Sequence, residues 1–348
     1  MSRAEPPPGT TSATELVVCS VSHDDAPELD GFVAALERSD VRCPLVLVDC
    51  ASRDGSAERA RELARRHPWI EPVALRENLG FAGGMNQAIR HARRFAPQWI
   101  WSLNPDTRPA PEAARTLLDA TSARPIDGAV GAVTPRLHRI DGELADGRLD
   151  ACGMRLTRSW RHLDRGSEEP DDGRYGLREE VFGGTGAATL YRLDALDDVR
   201  FPGGDLFDSL FHSYREDAEL AFRLQRRRWR TVYEPAARVG HRRRVTPARR
   251  RDLPAAINRA ALRNRYLLRI YHQSLGNALG PGALAWARDL GVLVYVLTRE
   301  RSSLGAYVWL WQHRAQLRAR RRWLAEHTPG GLRQIAPWFA RQRRPLAA

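Results

Sequence analysis

The sequence predicts an α/β chain built on an open, mostly parallel sheet, and three observations carry that expectation. Short apolar runs recur at 15–22 (ELVVCSVS), 44–48 (PLVLV), 70–75 and 99–103 (WIWSL), and each stops at a polar residue. Between them stand segments of helical periodicity at 29–38, 56–66 and 85–95, so strand and helix alternate. The runs are continuously apolar instead of alternating, which marks strands buried on both faces.

The first strand ends in His23-Asp24-Asp25, which opens its carboxyl end toward a site. With the helix at 29–38 and the strand at 44–48 it completes a strand–helix–strand unit. Asp49 closes the second strand, residues 52–55 turn the chain, and the helix 56–66 leads to a third strand at 70–75. A glycine-rich loop at 80–84 precedes the helix 85–95, and the fourth strand at 99–103 ends in the turn Asn104-Pro105-Asp106. A helix at 111–122 and a strand at 129–134 (AVGAVT) follow. Residues 138–180 are polar and rich in Gly, Asp and Arg, so the sheet is expected to be interrupted there. Residues 181–190 resume a strand, 205–226 read as a charged helix, and 230–234 with 237–239 return to strand. The expected division is a disordered Pro/Thr/Ser-rich tail over 1–14, an α/β domain over 15–245 and an arginine-rich helical region over 246–348.

The formal net charge is +13, and all 55 basic residues are arginine. A GC-rich genome accounts for the arginine, while the excess charge points to an anionic partner: nucleic acid, acidic lipid or a phosphorylated substrate. Cys19, Cys43, Cys50 and Cys152 show neither CxxC spacing nor a disulfide framework, which implies a reducing cytoplasm. The first residues lack the apolar core of a signal peptide. The best candidate for a membrane span, 290–297, is about half of what a bilayer requires. The chain is therefore expected in the cytoplasm, on a membrane surface at most.

In an open parallel sheet, ligands sit outside the carboxyl ends of the strands. Asp49 and Asp106 both fall there, facing one crevice. One carboxylate can accept hydrogen bonds from a base or ribose, and another can hold a divalent cation against a diphosphate. Taken singly, each aspartate fits a turn or a helix cap equally well.

The combination is more specific. Leu47-Val48-Asp49-Cys50-Ala51-Ser52-Arg53-Asp54-Gly55-Ser56 resembles the VDNASxDGS segment of family 2 glycosyltransferases. Glu77-Asn78-Leu79-Gly80-Phe81-Ala82-Gly83-Gly84-Met85-Asn86 resembles their ENxGFAxGxN loop, and Leu103-Asn104-Pro105-Asp106-Thr107 their LNPD form of the metal-binding element. The resemblance implies the GT-A fold and a nucleoside-diphosphate-sugar donor. By it, Asp49 binds the nucleobase, Arg76 and the glycine loop lie along the nucleotide, and Asp106 coordinates Mg²⁺ or Mn²⁺. Ser52, Asn78, Gly80, Gly83, Asn86 and Asn104 are assigned to the same nucleotide site. Physical chemistry agrees in kind, because glycines permit close backbone approach and a helix start near Gly84 offers N–H groups to an anion.

Gly183-Gly184-Thr185-Gly186-Ala187-Ala188 holds too many small residues for a packing strand and suggests a floor beneath a sugar. The stretch from Phe207 to Arg223 resembles the family block FDExFFxYxEDxDLxxR, with Ser209 where a glutamate is common. An inverting transfer needs a base for the acceptor hydroxyl. Asp217 is that candidate, with Glu216 beside it. His241 matches a position where relatives carry a histidine near the metal. Gln225-Arg226-Arg227-Arg228-Trp229 spells the QxxRW of processive synthases but follows Glu216-Asp217 too closely, which favours single-sugar transfer.

Beyond the block, Ala283, Trp286, Leu290, Leu293, Val294 and Leu297 recur at helical spacing, with Trp311 and Trp323 beside arginines. Such helices suit an anionic membrane surface; packing on the catalytic domain or a homo-oligomer contact explains them as well. The polar stretch from Asp150 to Gly183 resembles relatives assigned as rhamnosyltransferases. It implies dTDP-rhamnose as donor and a glycan or polyprenyl-diphosphate-linked acceptor in cell-surface polysaccharide synthesis. Two competing readings are a sugar-phosphate nucleotidylyltransferase, disfavoured by the absence of lysine, and a nucleic-acid-binding protein. The latter rests on the clusters Arg242 to Arg244, Arg249 to Arg251 and Arg318 to Arg322, which no recognition motif accompanies.

Overall fold

A computed structural model describes residues 14–125, 127–141, 144–243, 254–280, 282–328, 331–340 and 343–346. Residues 1–13 of the expected tail and the arginines at 244 and 249–251 lie outside the described residues. Strands β1 (Leu16–Ser22), β2 (Leu45–Asp49), β3 (Ile70–Ala74) and β4 (Trp99–Leu103) alternate with helices α1 (Ala26–Glu37), α2 (Ser56–Arg66) and α3 (Gly80–Ala92). They lie in the order β3-β2-β1-β4, all parallel. Every residue of β1, β2 and β4 is buried, as their continuous apolar runs require.

The chain continues through β5 (Thr107–Pro109), α4 (Ala113–Ala120), β6 (Ala129–Asp141), β7 (Leu144–Ala151), a separate small hairpin of β8 (Met154–Leu156) and β9 (His162–Asp164), β10 (Glu179–Val181), β11 (Ala188–Arg192), α5 (Leu193–Asp198), α6 (Glu216–Arg226) and β12 (Trp229–His241). β11 runs antiparallel between β4 and β6, and β12 returns parallel to β6. The whole is a ten-stranded α/β sheet with β10 and β3 at the ends of its main path. Alternate residues of β1 enter two cores: Leu16 and Val18 pack with α1, α2 and α4, and Val17, Cys19 and Val21 with α3 and α5.

Helices α7 (Ala255–His272), α8 (Leu275–Leu279), α9 (Leu284–Thr298), α10 (Gly305–Gln312), α11 (Arg314–His327) and α12 (Gly331–Ile335) follow. A third core joins Phe182 and Phe222 to Leu267, Tyr271, Leu324 and Trp338, so the C-terminal helices pack directly on α6. Among the described residues, no helix is long and apolar enough to cross a membrane.

Four expectations are corrected. The interruption expected over 138–180 begins later: β6 runs on to Asp141 and pairs with β7, and the chain leaves the main sheet only between Ala151 and Glu179. Beside the core residue Leu137, this part of β6 also buries arginines. Arg136 is buried against Asp171 and Arg139 against Asp150, so paired charges hid the strand from a hydrophobicity reading. The strand expected at 181–190 is two strands separated by the small-residue segment 182–187. The charged helix starts at Glu216 instead of 205, because His212, Tyr214 and Arg215 adopt left-handed backbone angles that no helix continues through. Finally, α3 begins at Gly80, so the glycine loop is mostly helix. A side chain at Gly84 would strike Val21 and Cys50, and one at Gly83 would strike Leu79. Those two glycines serve packing within and beneath the helix.

Candidate active site

Because β1, β2 and β4 are parallel, the residues after them share one edge of the sheet. There His23, Asp25, Cys50, Asn78, Asn104 and Asp106 line a cleft of about 180 Å³. A larger cavity of about 620 Å³ adjoins it through Phe81, Asn104, Asp106 and Ser213, and carries Glu216, Asp217 and His241 on its walls. The sequence candidates on β4, α6 and β12 are thus brought to one place.

Asp106 and His241 form the first half of the site. β5 pairs antiparallel with the end of β12, placing His241 opposite Thr107. The His241 Nε2 stands 3.4 Å from Asp106 Oδ1, while Nδ1 lies 2.7 Å from Asp150 Oδ2. Burial opposes a charge on this imidazole, and the flanking carboxylates outweigh it, raising the pKa to about 10. Asp150 is itself buried. Burial alone would lift its carboxyl, but the His241 hydrogen bond and the charges of Arg243 and Arg139 hold it well below the usual range. Asp106 Oδ1 and Asn104 Oδ1 are buried without accepting a hydrogen bond. Two orphaned oxygens beside an imidazole nitrogen, with the second nitrogen anchored on a carboxylate, are a donor set that fits a divalent cation.

Glu216 and Asp217 form the second half, at the start of α6. Asp217 Oδ2 accepts from Gly186 N at 2.9 Å and Oδ1 from Ala218 N at 2.7 Å. Burial still raises its pKa, with Asp164 adding to the effect. Glu216 is buried, its Oε2 accepts no hydrogen bond, and burial and the Asp217 charge push its pKa far up. Both carboxyls of the pair are therefore raised, Glu216 the further, and two backbone N–H groups favour the charged form of Asp217.

The loop before them is held from two sides. From α3, Phe81 N donates to Ser213 Oγ at 3.0 Å and Ala82 N to His212 O at 2.9 Å. From α7, the Asn264 amide donates to Phe211, Ser213 and Tyr214 carbonyls at 2.8, 2.9 and 2.7 Å. This clamp stabilises three left-handed, non-glycine residues immediately before the acidic pair. It also occupies the first amides of α3; Gly80 N donates to Asn78 Oδ1 at 2.8 Å. The expectation that this helix start offers N–H groups to an anion is thereby corrected.

Of the remaining candidates Gly80 lines the smaller cleft, and Asp49, Ser52, Arg76, Gly83 and Asn86 line neither cavity. Asp49 is buried and accepts from both the backbone N and the hydroxyl of Ser52, forming a turn whose Ser52 oxygen also accepts from Asp24 N. Arg76 is exposed. Asn86 is engaged away from the cleft: its Oδ1 accepts from Leu206 N and Phe207 N, and its Nδ2 donates to Phe207 O at 2.8 Å. A side chain at Gly80 would collide with the His212 carbonyl, so this glycine permits the loop clamp. Gln225, from the QxxRW-like segment, is wholly buried and binds Val181 O, Phe182 O, Arg230 and Trp338. Its role is to join α6 to the C-terminal helices.

Sequence reasoning missed Asp150 as the anchor of His241, Asn264 as the loop clamp, and the basic wall of the larger cavity. That wall holds Arg161, Arg215 and Arg243, with His162 Nδ1 3.2 Å from Arg215 Nη1. Burial and these arginines keep His162 neutral by lowering its pKa well below the usual value. No local motif signals these residues, since their partners are distant in the chain. Two of the three arginine clusters meet internal partners: Arg242 pairs with Glu28, Arg243 with Asp164, and Arg320 with Asp205.

A parallel sheet edge, an Asp–His pair beside the end of β4 and an acidic pair at a helix start give the chain the layout of a GT-A glycosyltransferase. Residues 18–200, more than half of the chain, match the family model Glycosyl transferase family 2, and the chain belongs to that family. An N-acetylglucosaminyl-diphospho-decaprenol L-rhamnosyltransferase of Mycobacterium tuberculosis is 28% identical over 245 residues, covering 65% of this chain and 75% of the relative. Among solved structures, GalNAc-T7 with UDP, GalNAc and Mn²⁺ matches with a TM-score of 0.57 at 13% identity, over 76% of this chain and 49% of that one. This chain therefore spans about half of that relative. The mannosyltransferase PcManGT from Pyrobaculum calidifontis, in complex with GDP-Man and Mn²⁺, matches with a TM-score of 0.52 at 16% identity, over 96% and 90% of the two chains. These structures share the fold.

Proposed function

We propose that the protein is an inverting, metal-dependent, non-processive glycosyltransferase that moves rhamnose from dTDP-rhamnose to a polyprenyl-diphosphate-linked acceptor. The observation that carries this reading is that Asp106, His241 and Asp217 face one cavity whose further wall is basic. Asp106 and His241 would hold the cation, which supplies positive charge to the departing diphosphate. A mixed carboxylate and imidazole set suits Mn²⁺ better than Mg²⁺. Asp217, ionised and raised in pKa, removes the acceptor hydroxyl proton as that oxygen attacks the anomeric carbon from the face opposite the nucleotide. Arg161 and Arg215 offer charge to an acceptor diphosphate. The rhamnose assignment is supported by the mycobacterial relative, whose name states a diphospho-decaprenol acceptor.

The test is release of nucleoside diphosphate from dTDP-, UDP- and GDP-sugars with Mn²⁺, with lipid extract as acceptor source. Wild type and Asp217→Asn are compared. Release from dTDP-rhamnose alone, abolished in the variant while donor binding persists, is the expected result. Turnover of a different donor would replace the sugar assignment, and equal turnover by the variant would remove Asp217 as the base.

A further inference from the structure

Of the thirteen large apolar side chains exposed among the described residues, eleven lie between Leu275 and Trp311. They are concentrated on α8, α9 and α10. The α9 helix buries Ala285 and Val296 toward the protein, in line with Asp289, whose carboxylate pairs with Arg265 and Arg269 of α7. On its other side it exposes Trp286 by 56%, Leu290 by 65%, Leu293 by 38%, Val294 by 53% and Leu297 by 47%. At about 100° per residue these five positions fall in one stripe roughly 100° wide. A helix of a globular protein normally turns such a stripe inward. Here it faces outward, and Val308 and Trp311 of α10 add to the exposed apolar surface.

Charge indicates what covers it. Residues 275–322 contain eight arginines and two acids. Asp289 is committed to the α7 arginines, and Glu300 accepts from Ser303 Oγ at 2.5 Å. Arg299, Arg301, Arg314, Arg318 and Arg322 are exposed, and the Arg314 guanidinium lies 4.1 Å from the Trp311 ring centre. Exposed tryptophan and leucine with arginine and without unpaired acid match the chemistry of an anionic bilayer surface. The 15-residue α9 is too short to cross a bilayer and long enough to lie in its interface.

We propose that α8, α9 and α10 form a monotopic docking surface for anionic phospholipid, with the α9 stripe sunk into the interface. The surface is coupled to the site. Leu262 of α7 packs with Val296 of α9 and Ala306 of α10, while Ile257, Asn258 and Ala261 of α7 line the larger cavity. A membrane-held helix layer therefore presents the acceptor cavity near the lipid surface. This assignment of a partner rests on the lipid-linked acceptor proposed above, but its test does not.

The experiment is sedimentation of the full chain with phosphatidylglycerol-containing vesicles and with pure phosphatidylcholine vesicles, at two salt concentrations. Wild type is compared with the double variant Leu290→Glu, Val294→Glu. Wild type is expected to bind anionic vesicles, with affinity falling as salt rises, and the variant to bind at least about tenfold more weakly. Equal thermal melting of the two proteins establishes that the variant is folded, and Arg314→Glu with Arg318→Glu provides a second variant that leaves the core untouched. Release of nucleotide with a short-chain, water-soluble acceptor is expected to be unchanged in both variants, so loss of docking is read separately from loss of transfer. Absence of binding by wild type overturns the proposal. So does a concentration-dependent dimer that disappears in the leucine–valine variant while vesicle binding is unaffected, which would assign the stripe to a second copy of the chain.

Discussion

The side-chain amide of Asn264 donates to the carbonyl of Tyr214 at 2.7 Å, linking α7 to a loop two residues before the acidic pair. Asn264 is fully buried and also reaches the carbonyls of Phe211 and Ser213. Its amide holds the left-handed angles of Tyr214 and Arg215 that aim Glu216 and Asp217 into the cavity. A helix outside the family-matched segment is thus part of how the site is shaped.

Asn264→Ala should therefore reduce kcat by about 10- to 100-fold, corresponding to roughly 1–3 kcal/mol for the part-buried Ser213 and Tyr214 carbonyls that lose their side-chain donor. The cleft proposed for the donor lies on the sheet edge, so KM for the nucleotide sugar should move little. Steady-state kinetics with both substrates varied checks the split. A change confined to donor KM would contradict the clamp.

Glu216 and Asp217 should respond differently to neutral substitution. Two backbone N–H groups favour the charge on Asp217 while Glu216 Oε2 accepts no hydrogen bond, so Glu216→Gln should keep activity within a few-fold of wild type. Asp217 must be ionised to act, and its pKa is raised by burial. Activity should accordingly be full at high pH and fall as pH drops through a value above the ordinary carboxylate range of about 4. A pH profile of kcat/KM for wild type and Glu216→Gln measures this. Removal of the acid limb by Glu216→Gln would reverse the two roles.

Asp150, on the wall of the larger cavity, fixes the His241 ring through Nδ1. Asp150→Asn should weaken Mn²⁺ binding by about 10- to 100-fold, the usual effect of losing a carboxylate that orients a ligand imidazole. Calorimetric titration of Mn²⁺ in the presence of nucleoside diphosphate reads the affinity directly. Asp106→Ala should remove metal-dependent nucleotide binding.

His272 supplies a pH dependence of stability. Buried and stacked on Phe222, it has its pKa lowered by desolvation to about 4. Between about pH 6.5 and 4 the unfolded chain binds a proton that the folded chain refuses, so stability falls as pH drops across that window. Above it His272 contributes no slope. Urea unfolding at pH 7.5 and 5 should show a smaller acid loss for His272→Gln than for wild type.

Much of the molecule was legible from the chain alone. The runs PLVLV and WIWSL are buried on both faces, and their polar ends mark the cleft edge, because a parallel sheet gathers those ends together. Asp106, His241 and Asp217 carried chemical motifs and do meet at one cavity. What the chain could not display was any feature defined by partners far apart in sequence. The continuation of β6 beyond the expected 129–134 was masked because Arg136 and Arg139 are buried through ion pairs, which hydrophobic periodicity does not register. Gly83, Gly84 and Asn86 matched a nucleotide motif, but tertiary packing gave them the work of seating α3 and holding the 206–207 backbone. The protonation order of Glu216 and Asp217 also waited for the fold. It depends on which carboxylate receives the Gly186 N–H and which is desolvated without one, and only the folded chain brings Gly186 to Asp217.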